Sequence, residues 1–318
     1  MKTALIILLS FLISAEYINS AEIIMSEERV TSLTNNVITQ PKKIIIQPEI
    51  VYTVEDQNIF YRYLSYISDT NINDVDEILE KSALFFLEKP YVAHTLETEG
   101  GDTFKTGGRE SVVVNLREFD CTTFVETVIA LTQTVRSKNP TFKKFIEELK
   151  NLRYRGGVVK GYSSRLHYMT DWFYDNEKKG VLKNISKDLG GVTENKTINF
   201  MSNHRDAYKQ LKLSDKNLHE IIEIESDINA RGGFSFLPKS NIAITAPLIP
   251  HMSIIAFTTT IDGLDVSHVG FAFQKAGELT FIHASTLLDK IVIDKKTLSE
   301  YCNGQNNCTG IIVGSLSY

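Results

Sequence analysis

Apolar positions recur at helical spacing through the first half of the chain and at strand spacing through its last third. "EDQNIFYRYLSYIS", from Glu55, and "NDVDEILEKSALFFLEK", with Asn73 as its cap and Pro90 as its stop, read as two helices. In "CTTFVETVIAL" the residues Phe124, Val125, Val128, Ile129 and Leu131 line one helical face, and a strand-like "SVVVNL" precedes it. "TFKKFIEELKNL" is a further helix, capped at Asn139 with Pro140 at its first position. Beyond residue 252 come "SIIAFTTT", "SHVGFAFQ", "LTFIHAS", "KIVID" and "GIIVGSL", short β-branched and aromatic runs between turn residues. Helices followed by strands predict an α+β domain built on an antiparallel sheet.

The flanks carry weaker patterning. Lys2, the apolar run Leu5 to Ile13 and the small, polar stretch after it read as a signal peptide over residues 1–20. That implies an exported protein, periplasmic or secreted. The run is short for a bilayer, and no second run approaches the length needed, so no membrane span is expected. Residues 21–54 read as an N-terminal arm with one strand, "KIIIQ", and residues 55–318 as a single domain. The polar, glycine-containing stretch Lys183 to Asn203 is expected to be a surface insertion.

Composition narrows the function. The 318 residues are 42% hydrophobic, enough for a substantial core, and the net charge of -5 argues against a nucleic-acid partner. Cys302 and Cys308 flank the polar loop "NGQNN", and export makes a disulfide between them the expectation. Cys121 is left over. It follows Asp120, a good N-cap residue, and so falls at the first position of its helix. A helix N-terminus favours a thiolate, but by only about 0.3–1 kcal/mol, under one pKa unit. The Asp120 carboxylate opposes it, so a second group, most simply an imidazolium, has to stabilise the sulfur.

Two histidines suit that task. "KAGE" reads as a tight hairpin turn at Gly277, which puts Gln274 opposite Leu279 and Gly270 opposite His283. His268, Gly270 and His283 then share one face of the sheet, with the two imidazoles diagonal neighbours. A base held by a second polar group is what covalent catalysis by a thiol requires.

With those residues in place the chain resembles the NlpC-type, papain-like peptidoglycan hydrolases, and within them the N-acetylmuramoyl-L-alanine amidase-like branch. The resemblance rests on "YVAHTLE", "VVVNLREFDCTTFVETVIAL", "RYRGG", "GYSSRLHYMTDWF", "GLDVSHVGFAF" and "FIHAS". It implies a papain-like core with helical elaborations, Cys121 as nucleophile, His268 as general base and acid, and His283 as the group orienting it. It further implies peptidoglycan fragments as partners and cleavage of the amide between N-acetylmuramic acid and L-alanine, in small anhydro-muropeptides in the closest branch. No cofactor is implied. Relatives commonly carry a Gly-Asp turn where this chain has Met252 and Ser253.

"SSRLHYMTDW" supplies candidate substrate-binding residues. Arg165, with Arg153 and Arg155 nearby, would pair with stem-peptide carboxylates, Trp172 would cover a sugar ring, and His167 and Asp171 add polar groups. No HExxH motif or P-loop is present, so neither a metal nor a nucleotide is expected. The competing readings are an endopeptidase cutting within the stem peptide, an acyltransferase using the same residues, and a non-catalytic wall-binding module.

Overall fold

The computed structural model describes residues 44–47, 50–71, 73–98 and 110–317. The expected signal segment and most of the arm lie outside them. Two short strands, β1 (Ile44–Gln47) and β2 (Ile50–Thr53), pair antiparallel, and β2 pairs in parallel with β3 (Val112–Val113). The end of the expected arm is therefore built into the domain. Thr53 closes β2 and caps α1 (Val54–Ile67), its hydroxyl accepting from the Asp56 amide at 3.2 Å.

Helix α2 (Val75–Leu84) is capped by Asp74 rather than Asn73. Helix α3 (Cys121–Arg136) starts at the cysteine. Helix α4 (Phe142–Arg153) starts two residues later than the Asn139-Pro140 signal suggests, because the Thr141 hydroxyl accepts from Lys144. Helix α5 is Met169–Lys178 and α6 is Asp215–Ala230.

The large sheet has eight strands. They are β4 (Leu182–Asn184), β5 (Val192–Glu194), β6 (Phe234–Pro238), β7 (Ile254–Thr259), β8 (Val266–Lys275), β9 (Glu278–Ser285), β10 (Lys290–Ile293) and β11 (Cys308–Leu316). The order is β10-β9-β8-β7-β11-β6-β5, with β4 beside β11, and all these pairings are antiparallel. Helices α7 (Lys239–Thr245) and α8 (Leu298–Asn303) complete the set used below. The molecule is a mixed α/β domain with an antiparallel sheet.

Both faces of the sheet are covered, which is why β7 reads as a continuous apolar run. Ile254, Ala256, Val269 and Phe271 join Phe124, Val125 and Val128 of α3 in one core. Ile255, Phe257, Ala272 and Phe281 join Leu298, Cys302 and Cys308 in a second. The expectation of a surface insertion over Lys183 to Asn203 is corrected: β4 and β5 lie in this stretch, and Ile198, Phe200 and Met201 are buried in a third, smaller core.

Candidate active site

Helix α3 presents Cys121. Asp120 is extended, its carboxylate accepts from the Thr123 amide at 2.7 Å, and the Thr123 hydroxyl accepts from the Asp120 amide at 3.0 Å. This reciprocal cap holds the first turn and leaves Cys121 at its first position. The thiol keeps partial exposure, with the Thr122 hydroxyl 4.0 Å from its sulfur. Burial and the Asp120 carboxylate push the thiol up to about 12, against the Thr122 hydroxyl and the Val269 and Thr122 amides, which favour the charged sulfur. Desolvation thus outweighs the helix terminus, which the sequence already marks as too weak to hold a thiolate by itself.

The β8–β9 hairpin turns on Ala276 (φ 53°) and Gly277 (φ 85°), both left-handed as a two-residue hairpin needs. Gln274 faces Leu279, as the sequence predicts, and the ladder runs on to Phe271↔Ile282. The register pairs end there, although both strands continue. Beyond that point His268 Nε2 lies 2.6 Å from His283 Nδ1. Both rings are buried on the face of Phe257 and Phe281, with the Phe281 ring stacked 4.1 Å from His283. Burial, and then His283, hold His268 well below the ordinary histidine range; the Asp294 carboxylate pulls the other way.

Among the described residues no hydrogen bond joins Cys121 to His268. Cys121 instead packs against the core that holds Val269, the next residue along β8. Helix α3 packs on the face of Val269 and Phe271, whereas the imidazoles occupy the opposite face. Cys121 thus packs on the core that includes Val269, one residue after His268 on β8, while the imidazole of His268 lies with Phe257.

Three nearby residues escape the sequence reading. Asp294, just past β10, stands 3.3 Å from His283 Nε2. Tyr301 packs over both imidazoles, at 6.1 Å from His268 and 5.9 Å from His283. It precedes Cys302, which is bonded to Cys308 with 5.4 Å between Cα atoms. Tyr91 is close enough to Cys121 and Asp120 to be raised by them, after burial. The Asp294 signal was available: Val292 pairs with His283, so a residue two further on is a diagonal neighbour, the same relation that links His268 to His283.

The expected substrate-binding residues have other occupations. Arg165 is buried and donates to Glu110 at 2.7 Å and to Glu97 at 2.5 Å. Asp171 is buried between Arg155 and Arg231, at 2.7 and 2.8 Å. Arg153 is buried against Glu126 at 2.6 Å. Trp172 is 0% exposed, so no sugar can lie on its ring. His167 bonds the Tyr162 carbonyl at 2.9 Å, and burial, then Arg165, bring it down to about 3. Arg165, Asp171 and Trp172 are thus corrected from substrate contacts to interior braces. Met252 takes φ 58°, a left-handed backbone that ordinarily favours glycine.

No group of three or more potential metal ligands occurs among the described residues, and no helix there is long and apolar enough to cross a membrane.

The site thus holds a cysteine at a helix start and a hydrogen-bonded histidine pair on an antiparallel sheet. The chain belongs to the N-acetylmuramoyl-L-alanine amidase-like (AmiA-like) family, whose model matches residues 81–311. A solved N-acetylmuramoyl-L-alanine amidase from Bacteroides uniformis ATCC 8492 is 36% identical, with TM-score 0.69, over 76% of this chain and 99% of that one. A Bacteroides fragilis structure described provisionally as a xylanase is 33% identical, with TM-score 0.67, over 73% of this chain and 98% of that one. A Legionella pneumophila str. Philadelphia 1 protein, 21% identical with TM-score 0.61 over 83% and 95%, shares the fold. No curated protein matches the sequence.

Proposed function

We propose that the protein is an exported cysteine amidase with a papain-like, NlpC-type core, cleaving the amide between N-acetylmuramic acid and L-alanine in peptidoglycan fragments, anhydro-muropeptides among them. The observation that supports the cysteine mechanism is the hydrogen-bonded pair of His268 and His283 on the strands against which α3, with Cys121 at its start, packs.

At rest the thiol and the imidazole are both neutral. The His268 imidazole takes the thiol proton as the sulfur attacks the carbonyl, so charge develops only in the transition state. Backbone amides at the start of α3 stabilise the oxyanion. The imidazolium then protonates the leaving amine of L-alanine, and the tetrahedral intermediate collapses to a muramoyl thioester on Cys121. Water, deprotonated by His268, hydrolyses that thioester. Glycoside hydrolysis, the chemistry attached to the B. fragilis relative's description, uses a carboxyl pair flanking the scissile bond. Here Asp120 is committed to its helix cap and the reacting pair is a thiol and an imidazole, which favours an amide.

The test is turnover of purified muropeptides by the wild type and by Cys121→Ala. Hydrolysis by the first and none by the second is expected. Equal hydrolysis by both removes Cys121 from the chemistry, and a wild type that binds muropeptides without cleaving them makes the protein a wall-binding module.

A further inference from the structure

We propose that Asp294 is a positioning residue of this site: by accepting from His283 Nε2 it fixes the tautomers of both imidazoles and makes Nδ1 of His268 the basic nitrogen. The proposal deepens the amidase reading, since it rests on His268 as the base.

The geometry forms a directed chain. Asp294 Oδ2 lies 3.3 Å from His283 Nε2, and His283 Nδ1 lies 2.6 Å from His268 Nε2. An ionised carboxylate only accepts, so His283 carries its proton on Nε2. Burial alone would raise Asp294, but the His283 hydrogen bond and the Lys296 amide, 2.8 Å from Oδ1, hold it below the usual range, so it stays charged. With Nε2 protonated, neutral His283 offers a lone pair at Nδ1. His268 must then donate from Nε2, which leaves its own lone pair on Nδ1 for the thiol proton. Without Asp294 the same 2.6 Å contact could run the other way, with His283 Nδ1 donating and the lone pair of His268 used up inside the pair.

The carboxylate has a second consequence. When His268 takes up the thiol proton, the positive charge arises in an apolar enclosure made by Phe257, Phe281 and Tyr301. The His283 ring passes part of that charge towards Asp294, where it meets a fixed negative partner. Asp294 is held for this independently of His283: its carbonyl accepts from the Thr280 hydroxyl at 2.7 Å, and its other carboxylate oxygen binds the Lys296 amide.

The experiment compares wild type, Asp294→Asn and Asp294→Ala by the imidazole nitrogen spectra of the substrate-free protein and by turnover. In the wild type both His268 and His283 should be Nε2-protonated. Asp294→Asn has a single oxygen for the two N–H groups that Asp294 binds, so its NH2 must face either His283 Nε2 or the Lys296 amide, and kcat should fall with the loss of the charge. In Asp294→Ala the fixed tautomers should be lost and kcat should fall roughly 10²-fold with KM little changed. The spectra need no substrate, so the tautomer result stands even if muropeptides prove not to be cleaved. Unchanged tautomers in Asp294→Ala overturn the proposal, whether turnover is kept or lost.

Discussion

Gly270 and His283 face each other so closely that a Cβ on Gly270 would lie 2.9 Å from the Cβ of His283 and 2.7 Å from the Ile282 carbonyl oxygen. The glycine is what lets β9, with His283, approach β8 as the pairing ends. Gly270→Ala should therefore displace His283, costing about 1–3 kcal/mol in stability through overpacking and most of the turnover. Urea unfolding and muropeptide hydrolysis measure the two effects. A variant with wild-type activity would mean that the approach is dispensable.

The thiol and its base are both held neutral, and the pH behaviour follows. With the Cys121 thiol pushed up to about 12, iodoacetamide should react slowly at neutral pH and faster as pH rises. Asp120→Asn keeps a capping oxygen and removes the charge, so alkylation should speed up at a given pH. Turnover behaves differently, because His268 lies well below its ordinary value. Protonation disables the base, and a lowered pKa delays protonation, so the acid limb of kcat/KM should fall well below pH 6.5. An acid limb at or above 6.5 would contradict a buried neutral imidazole.

Arg165 holds two carboxylates inside the domain, Glu110 wholly buried and Glu97 partly so. Removing the guanidinium leaves a charge without its partner. Arg165→Ala should cost about 3–5 kcal/mol in stability, seen as a lower denaturant midpoint. An effect confined to KM, with stability intact, would restore its role as a substrate contact.

Reduction of Cys302–Cys308 opens a short loop, for which chain entropy gives about 2 kcal/mol. Because Tyr301 is the adjacent residue and packs over both imidazoles, reduction should lower turnover as well as Tm. Intact mass before and after reduction, paired with activity, checks both. Two free thiols in the untreated protein would refute the bond.

How much of this was legible depends on range. The Cys121 helix start and the face shared by His268 and His283 are local consequences of capping and period two, and one turn between neighbouring strands fixed the register. Asp294 obeys the same diagonal rule one strand further out, but an aspartate ending "KIVID" looks like an ordinary turn residue. Arg165, Asp171 and Trp172 misled because charge and large rings suit a ligand and a buried ion-pair network equally well. Only tertiary contacts, Glu97 and Glu110 from distant segments for Arg165 and Arg231 for Asp171, separate the two. Likewise the polar stretch after Lys183 hides strand pairings to β11 and β6, made with residues far along the chain.

The most direct test of the central claim is mass-spectrometric identification of the products from a disaccharide tetrapeptide and from the free tetrapeptide, with Cys121→Ala as control. The account predicts an intact tetrapeptide released from the first substrate, no cleavage of the second, and no product from the variant. Products carrying muramyl-L-Ala-D-Glu would place the cut inside the stem peptide and contradict the amidase assignment.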